Sequence, residues 1–152
     1  MKEADLMILR FLRQNARENL TQISKKTKIP VSTLFDRIKN LEQGVIRKYA
    51  SLLDFKKIGF PIRLTLLLKC DPSIREELKR YLLVSEQVNS LMRINNGYEY
   101  LAECVFKDLD AHQRFLDQLL PFRLNFQEHF VLEDLKRETF LSEETNLAVL
   151  MR

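Results

Sequence analysis

The side chains best suited to chemistry in this sequence lie between residues 25 and 48, where basic and hydrogen-bonding residues recur at short intervals. Lys and Arg neutralise phosphate groups, whereas Ser, Thr, Asn and Arg can reach the edges of nucleic-acid bases. This mixture indicates contact with a polyanion that offers both kinds of partner. The candidates for contact with bases or phosphates are Ser32, Thr33, Asp36, Arg37, Lys39 and Asn40, and those for phosphate contact alone are Lys25, Lys26, Lys28, Arg47 and Lys48.

Asp36 is the unexpected member of this set, because phosphate groups repel a carboxylate. Its side chain could accept a hydrogen bond from a cytosine amino group, orient Arg37, or pair with Lys39 or Asn40 on a solvated helix face. The sequence leaves these alternatives open. Arg37 is the candidate for contact with guanine or a phosphate, and Asn40 is the candidate for contact with adenine.

Residues with catalytic or metal-binding chemistry are sparse. The three glycines lie far apart and cannot form a phosphate-binding loop, and the sequence contains no GxSxG or HExxH run. His112, His129, Cys70 and Cys104 lack the spacing of zinc ligands. We therefore expect neither an enzyme nor a metal site, and no cofactor.

The 152 residues divide their charge unevenly. Residues 1–60 contain 13 Lys and Arg against 6 Asp and Glu, whereas residues 61–152 contain 12 against 15. A basic segment joined to an acidic one predicts two structural units, the first of which suits a polyanion. The sequence has no transmembrane or signal-peptide pattern, so we expect a cytoplasmic protein with reduced cysteines.

Apolar residues at helical spacing predict three short helices in the first unit. The first helix covers residues 5–14 with Asp5 as its N-cap, and the second runs from a capping Asn19 to about Thr27. The third begins with Pro30 in its first turn. Its inward-facing residues are Leu34, Ile38 and Leu41.

Gly44 ends the third helix, and the β-rich residues 45–49 that follow occupy the position of a wing. Three helices separated by tight turns are typical of a helix-turn-helix. We therefore assign residues 1–52 to a winged helix-turn-helix DNA-binding domain and residues 53–61 to a linker.

The second half of the chain predicts the order β-α-β-β-α-β. Helices follow Asp71 and Asp108, and Asn96-Gly97 joins two alternating runs as a hairpin turn. The four predicted strands are residues 62–69, 88–94, 98–106 and 126–132. This order is typical of a ferredoxin-like domain with an antiparallel four-stranded sheet. The predicted fold class is α+β, with this domain at residues 62–140 and a tail at residues 141–152.

The sheet face turned away from the helices carries apolar and charged residues together. Such a face is seldom left wet, so we expect a homodimer in which two copies stack about a two-fold axis and Arg63 and Arg93 pair with Glu103. The alternative is a monomer whose own tail, residues 140–152, covers the face. The predicted interface residues are Arg63, Thr65, Leu67, Leu91, Arg93, Leu101, Glu103, Val105 and Phe130.

The first unit resembles the N-terminal domain of the Lrp/AsnC (feast/famine) transcriptional regulators. The resemblance rests on Asn15-Ala16-Arg17, on Ile23 and on the run from Arg37 to Ile46, followed by Tyr49-Ala50. Where that family usually has Gly-Leu-Ser at the turn, this chain has Lys28-Ile29-Pro30, so we expect the first of these residues in a left-handed conformation. The second half resembles the family's effector and assembly domain up to about residue 140.

This resemblance implies an amino-acid effector near the hairpin turn. The run Asn96-Gly97-Tyr98-Glu99 is similar to the family's Gly-x-x-Asp/Gly-x-Asp loop, near which effectors bind between dimers. The implied effector contacts are Asn96, Gly97, Tyr98 and Glu99. The alternative is a type I′ turn in which Glu99 is a solvent-facing strand residue.

Two functions from different classes remain. The first, implied by the resemblance, is a transcriptional regulator that binds pseudo-palindromic duplex DNA as a dimer or higher oligomer and responds to a small molecule such as an amino acid. The second is a ligand-sensing or protein-interaction module of the same architecture that has lost sequence-specific DNA binding. The basic cluster favours the regulator, because a module without DNA has no need of it.

Overall fold

The computed structural model describes residues 2–142, and the chain divides into two compact units. Of the described residues, the first unit contains those up to Leu52 together with residues 135–142, and the second contains Leu53–Asp134. Each unit has its own apolar cluster of buried side chains. The second unit therefore ends at Asp134 and not at residue 140, the expected boundary, because residues 135–142 belong to the first unit.

Three helices form the first unit, namely α1 (Glu3–Gln14), α2 (Leu20–Thr27) and α3 (Val31–Gly44). Their apolar side chains recur at helical spacing, which gives each helix one buried face. The buried cluster consists of Ile8, Leu9, Ile23, Leu34 and Leu41. The predicted helix-turn-helix is confirmed.

The ends of these helices differ in two places from the prediction. α1 begins earlier than expected, so Asp5 lies in its first turn, where its carboxylate accepts a hydrogen bond from the Lys2 N–H at 3.1 Å. Pro30 precedes α3 as its N-cap instead of lying in its first turn. Asn19 caps α2 as predicted, because its side chain accepts a hydrogen bond from the Thr21 N–H at 2.8 Å.

The wing segment after α3 forms no strand over residues 45–52, contrary to the predicted β-rich stretch. A strand needs a neighbour for its N–H and C=O groups, and within the described residues this segment has none. Val45 and Ile46 instead donate to the Leu41 carbonyl, at 2.7 and 2.8 Å. Tyr49 donates its hydroxyl to Glu42 Oε1 at 3.0 Å, and burial together with this carboxylate raises the pKa of Tyr49 to about 12. The segment is thus kept close to α3.

The second unit is an antiparallel sheet with two helices on one face. Its strands lie side by side in the order β2-β3-β1-β4, and the helices connect β1 to β2 and β3 to β4. This arrangement confirms the predicted β-α-β-β-α-β order. The elements are β1 (Ile62–Lys69), α4 (Arg75–Val84), β2 (Val88–Arg93), β3 (Tyr100–Phe106), α5 (Leu109–Leu119) and β4 (Asn125–Phe130), with short 3₁₀ turns at Phe55–Ile58, Pro72–Ile74 and Leu120–Phe122.

The helix-facing side of the sheet carries the core of this unit. Alternate residues of β1 and β3 are buried there, as the period of two along a strand requires. The largest of the fully buried side chains are Leu64, Leu66, Leu68, Leu78, Leu82, Phe106, Phe115 and Leu119. The opposite side of the sheet is the outer face.

A bulge in β2 places two predicted interface residues on the helix side of the sheet. Two residues of β2 face one of β3 at Asn89, and an extra residue inverts the alternation of side chains beyond it. Leu91 and Arg93 were predicted on the outer face and lie on the helix side instead. Their partners on β3 are the buried Ala102 and Tyr100.

Phe130 also lies on the helix side, contrary to the prediction. It pairs with the buried Leu64 of β1, and its ring centroid is 5.8 Å from that of His112 on α5. β4 is an edge strand with mostly exposed side chains, so the sequence does not distinguish its two faces. Glu128 lies on the same side, and its Oε2 is 2.5 Å from His112 Nε2.

Candidate nucleic-acid interface

The exposed side of α3 carries polar side chains predicted to contact nucleic acid. Leu34 and Leu41 are buried as predicted, and Ile38 packs beside them. With 3.6 residues per turn, this buried stripe turns the rest of the helix to solvent. Five of the predicted contact residues are exposed there, namely Ser32, Thr33, Asp36, Lys39 and Asn40, and Glu42 and Gln43 near the end of the helix are exposed as well. We call this set of five the α3 polar face.

Arg37 is the exception among the predicted base-contacting residues. Its Nη1 donates to Asp5 Oδ1 on α1 at 2.6 Å, and the two side chains are only 27% and 19% exposed. Removing either partner would leave a half-buried charge unpaired. Arg37 therefore joins α1 to α3, and only its N–H groups not used by Asp5 are available to a ligand.

Asp5 is kept ionised by its contacts. Burial acts to raise the pKa of Asp5, but hydrogen bonds from the Arg37 guanidinium and the Lys2 N–H, with the charges of both residues, lower it below its usual value. The ion pair between α1 and α3 is therefore present at neutral pH.

Asp36 forms neither of the two intramolecular contacts considered for it. Within residues 2–142 its side chain has no ion pair or hydrogen bond, and Asp5 binds Arg37 in its place. Its carboxylate is exposed on the α3 polar face. This leaves it accessible to a donor from outside the chain, such as a cytosine amino group.

The predicted phosphate-contacting residues differ in how far they are already engaged. Lys26 Nζ is 3.3 Å from Glu18 Oε1 and 5.2 Å from the centre of the Phe11 ring, so much of its charge is satisfied within the unit. The other predicted residues are exposed and have no ion pair in the described part of the chain. They are Lys25, Lys28, Arg47 and Lys48, and Lys39 on the α3 polar face shares this property.

The turn between α2 and α3 has the expected left-handed residue. Lys28 has φ 62° and ψ 17°, which confirms the conformation expected from the resemblance, and its N–H donates to the Ser24 carbonyl at 2.8 Å. Pro30 supplies no side-chain cap to α3. The first N–H groups of α3 are therefore open to an anion such as a phosphate.

The predicted effector loop is a tight hairpin turn. Asn96 and Gly97 have φ of 62° and 86°, the two successive positive values of a type I′ turn. Glu99 is not solvent-facing as the alternative supposed, because its Oε1 accepts a hydrogen bond from Arg75 Nη2 at 2.8 Å and its side chain is 21% exposed. The turn is thereby connected to the start of α4.

A small cleft lies next to this turn. Its volume is about 160 Å³, and Arg93 and Tyr100 line it together with Leu91. The remaining lining residues belong to α4, namely Glu76, Lys79 and Leu83. Tyr100 donates its hydroxyl to the Arg75 carbonyl at 3.2 Å, so the floor of the cleft is fixed to α4. The cleft thus combines an apolar wall with charges of both signs.

Two negative findings concern residues 2–142. No three His, Cys, Asp or Glu side chains in this range lie where they could hold a metal ion. No helix in it has both the length and the apolar character needed to cross a membrane.

Cys104 is buried. Burial, and to a lesser extent the nearby Glu103 carboxylate, raises the pKa of its thiol to about 12. That thiol is therefore unreactive at neutral pH.

Known proteins share both the first unit and the whole fold. Residues 1–46 match the family described as winged helix-turn-helix DNA-binding. The solved complex of the transcriptional regulator NMB0573 from Neisseria meningitidis with L-Met is 25% identical, has a TM-score of 0.82, and covers 90% of this chain and 93% of its own. An AsnC family regulator from Agrobacterium tumefaciens, 21% identical, has the same fold at a TM-score of 0.79, covering 90% and 94%.

Sequence identity to a known regulator shows the family to which the chain belongs. The HTH-type transcriptional regulator Ptr1 of Methanocaldococcus jannaschii is 30% identical over 113 residues, which are 74% of this chain and 76% of Ptr1. The chain belongs to the Lrp/AsnC family of transcriptional regulators. This Lrp/AsnC protein is a DNA-binding regulator and not an enzyme.

The outer sheet face of this Lrp/AsnC protein contains six of the nine predicted interface residues. Arg63 on this face binds Asp134 of the same chain through two hydrogen bonds, at 2.6 and 3.2 Å. These bonds and the Asp134 charge raise the pKa of Arg63, against the effect of burial. Ser90 and Met92 take the places predicted for Leu91 and Arg93. The predicted residues that remain are Arg63, Thr65, Leu67, Leu101, Glu103 and Val105.

Sequence reasoning missed the partners of the basic residues in this Lrp/AsnC protein. Asp5 was assigned to the cap of α1 and Glu18 received no role, yet they bind Arg37 and Lys26. Each pair joins residues far apart in the sequence. The available signal was the opposite charge of side chains on helices predicted to pack together, but helical spacing does not determine which of them meet.

Proposed function

We propose that this Lrp/AsnC regulator binds pseudo-palindromic duplex DNA as a homodimer and responds to an amino-acid effector. The observation that carries the proposal is the α3 polar face, which is exposed and accompanied by the exposed Lys25, Lys28 and Lys48, none of which has an ion pair within residues 2–142. A recognition helix enters the major groove with its N-terminal residues toward the bases. Two copies related by a two-fold axis would place their helices in successive grooves about 34 Å apart.

The residues of the interface divide into two roles. Ser32, Thr33 and Asn40 are short and polar, and they suit base edges or nearby phosphates. Lys25, Lys28, Arg47 and Lys48 would neutralise phosphates and position the protein without reading sequence. Lys26 contributes less because Glu18 binds it, and Arg37 contributes through the N–H groups that Asp5 leaves open.

The outer sheet face supports the homodimer. Met92 on this face is 43% exposed, and Leu67, Leu101 and Val105 lie on the same side in the paired strands. A second copy stacked on it would remove these apolar side chains from water. Since Asp134 already binds Arg63, the interface does not require the predicted pairing of Arg63 with Glu103.

The hairpin turn and the adjoining cleft support an amino-acid effector. The Neisseria regulator was solved with L-Met, and the cleft of this chain presents Arg93 and Glu76, whose charges complement a carboxylate and an ammonium group. We propose that Asn96, Gly97 and Tyr98 lie beside the effector, with Glu99 holding Arg75. The proposed binding of duplex DNA supports a cytoplasmic location for the regulator.

Selection of bound duplexes from a random double-stranded pool tests DNA recognition. We expect a recovered pseudo-palindrome whose affinity, followed by anisotropy, falls steeply with salt because cations on the protein displace counterions. Recovery of no motif, with negligible binding at low salt, would favour the interaction module. Sedimentation equilibrium tests the dimer, and a monomer at micromolar concentration would contradict it.

Calorimetric titration with L-Met tests the effector proposal. We expect binding by the native chain and a weaker response from Arg93→Ala, with Arg123→Ala as the control because this residue is exposed and lies outside the cleft. Equal binding of L-Met by both variants would show that Arg93 does not contact the effector. Absence of heat for L-Met and for a panel of other amino acids would contradict an amino-acid effector.

A further inference from the structure

Phe35 is a large apolar side chain on the exposed side of α3. It is 58% exposed, whereas Leu34 beside it is completely buried. Val31, one turn earlier on the same side, is 43% exposed. The two form an apolar strip at the N-terminal end of a helix whose other exposed residues are polar. The packing of the first unit does not account for an aromatic ring at this position.

The direction of Phe35 follows from the ion pair of Arg37. An α-helix turns about 100° per residue, so side chains two positions apart point to nearly opposite sides of the axis. Arg37 points toward α1, where Asp5 binds it. Phe35 therefore points away from α1. Its neighbours on the helix surface are Ser32 and Lys39, both exposed members of the α3 polar face.

The major groove of DNA offers one apolar group to such a side chain. Thymine carries a C5-methyl group on its groove edge, whereas the other base edges present hydrogen-bond donors and acceptors, and Phe is among the residues that contact this methyl group. Phe35 lies near the N-terminal end of α3, the part of a recognition helix that approaches bases. Lys39 beside it would hold a phosphate and keep the ring in the groove.

We propose that Phe35 contacts a thymine methyl group in each half-site and so makes the regulator selective for thymine at that position. The proposal rests on the proposed binding of DNA through α3. It assigns part of the base selectivity to an apolar contact, whereas the polar residues of the helix supply hydrogen bonds. A half-site with cytosine or uracil at that position would lose the contact, because neither base has the methyl group.

The test replaces thymines by deoxyuridine, one at a time, in a duplex that the native protein binds. The exchange removes the methyl group and leaves base pairing intact. We expect one position in each half-site where the exchange weakens binding by about fourfold. This factor corresponds to the ~0.8 kcal/mol gained when one carbon group is buried. Phe35→Ala should bind both duplexes equally, and Phe35→Leu should keep part of the difference.

Leu109→Ala is the matched control, since Leu109 is a helical apolar residue that is 65% exposed and belongs to the other unit. It should preserve the difference between the two duplexes. The proposal is overturned if loss of no thymine methyl group weakens binding by the native protein. It is also overturned if Phe35→Ala depends on the methyl group as strongly as the native protein does. Both results would leave DNA binding itself intact. A native protein that bound no duplex would overturn this proposal and the DNA function together.

Discussion

Asp5 and Arg37 form the contact between α1 and α3 whose removal should lower the stability of the first unit most. Both side chains are mostly shielded from water, and the 2.6 Å hydrogen bond joins two charged groups. We expect Asp5→Asn to lower the free energy of unfolding of the first unit by ~1 to 3 kcal/mol at pH 7, because the Arg37 charge loses its counter-ion. Urea unfolding measures the change. Asp36→Asn is the control, since Asp36 is exposed on the same unit without an ion pair in the described chain.

The same pair predicts a dependence on pH. The pKa of Asp5 is lowered by folding, so its stabilising effect is present above the unfolded value of 3.8 and is lost as the pH falls through the lower folded value. We expect the native chain to lose this contribution under acid conditions and Asp5→Asn to show a flatter profile below pH 4. Thermal unfolding between pH 2.5 and 7 measures both curves. Parallel curves would contradict this assignment.

Lys48 is exposed and has no ion pair in the described chain, so its effect on DNA should be electrostatic. We expect Lys48→Ala to weaken binding to selected and random duplexes alike and to reduce the slope of log affinity against log salt by about 0.9. Anisotropy at several salt concentrations gives the slope. Lys79→Ala on α4, where Glu76 is 3.2 Å from its Nζ, should leave the slope unchanged. A loss confined to the selected duplex would indicate base contact instead.

At the scale of elements, the bulge at Asn89 determines which side chains of β2 reach the core. Deleting Asn89 would remove the extra residue and leave Val88 opposite Cys104 and Leu91 opposite Ala102, so no side chain of β2 changes face. We expect the deletion to change the free energy of unfolding of the second unit by less than ~1 kcal/mol, whereas Leu91→Ala should lower it by ~1 to 3 kcal/mol because it removes a side chain from the apolar cluster. Asn89→Ser keeps the extra residue and is the control in urea unfolding. A loss on deletion as large as that of Leu91→Ala would show that Leu91 leaves the core when the bulge is removed.

Periodicity predicted the order of helices and strands, because burial of one face repeats along each element. Alternation in residues 62–69 and 98–106 identified the helix side of β1 and β3 correctly. Periodicity could not reveal the bulge at Asn89, since an unpaired residue leaves no mark on the composition of a strand. Composition predicted a β-rich wing at residues 45–49, but it does not show whether a pairing partner exists there.

The candidate site was predictable to a similar extent. The side of α3 that faces solvent followed from Leu34 and Leu41, and the left-handed Lys28 followed from the glycine that the Lrp/AsnC family usually has at this position. The engagement of Arg37 by Asp5 did not, because such a contact depends on how two helices pack and not on spacing within either. The direction of Phe35 also became clear only from that contact.

At the scale of the whole molecule, the first unit contains residues from both ends of the described chain. Arg13 at the end of α1 donates to the Phe140 carbonyl at 3.0 Å and to the Glu138 carbonyl at 2.9 Å, and it is 3.0 Å from the Glu138 carboxylate. Gln14 donates to the Ser142 carbonyl at 2.5 Å. Both Glu138 and Leu141 have positive φ, so a specific backbone shape is maintained there.

Arg13→Ala should release this segment. We expect a glutamate-specific protease to cut after Glu138 severalfold faster in the variant, because cleavage requires the backbone to leave α1 and fewer hydrogen bonds then oppose that opening. Mass spectrometry of the fragments over time measures the rate at this site. Arg17→Ala is the control, since Arg17 is exposed and its side chain makes no hydrogen bond in the described chain. Equal rates would mean that the contacts with Arg13 contribute little.

The binding of Arg13 to residues that follow the sheet has a consequence for biosynthesis. A ribosome releases the three helices first, whereas the residues around Glu138 and Phe140 that bind Arg13 are made after the sheet is complete. Domains commonly fold in the order in which they emerge. The helix-turn-helix unit of a nascent chain must therefore wait until the whole sheet has been translated before Arg13 finds its partners. A product terminated early would carry the α3 polar face without this support.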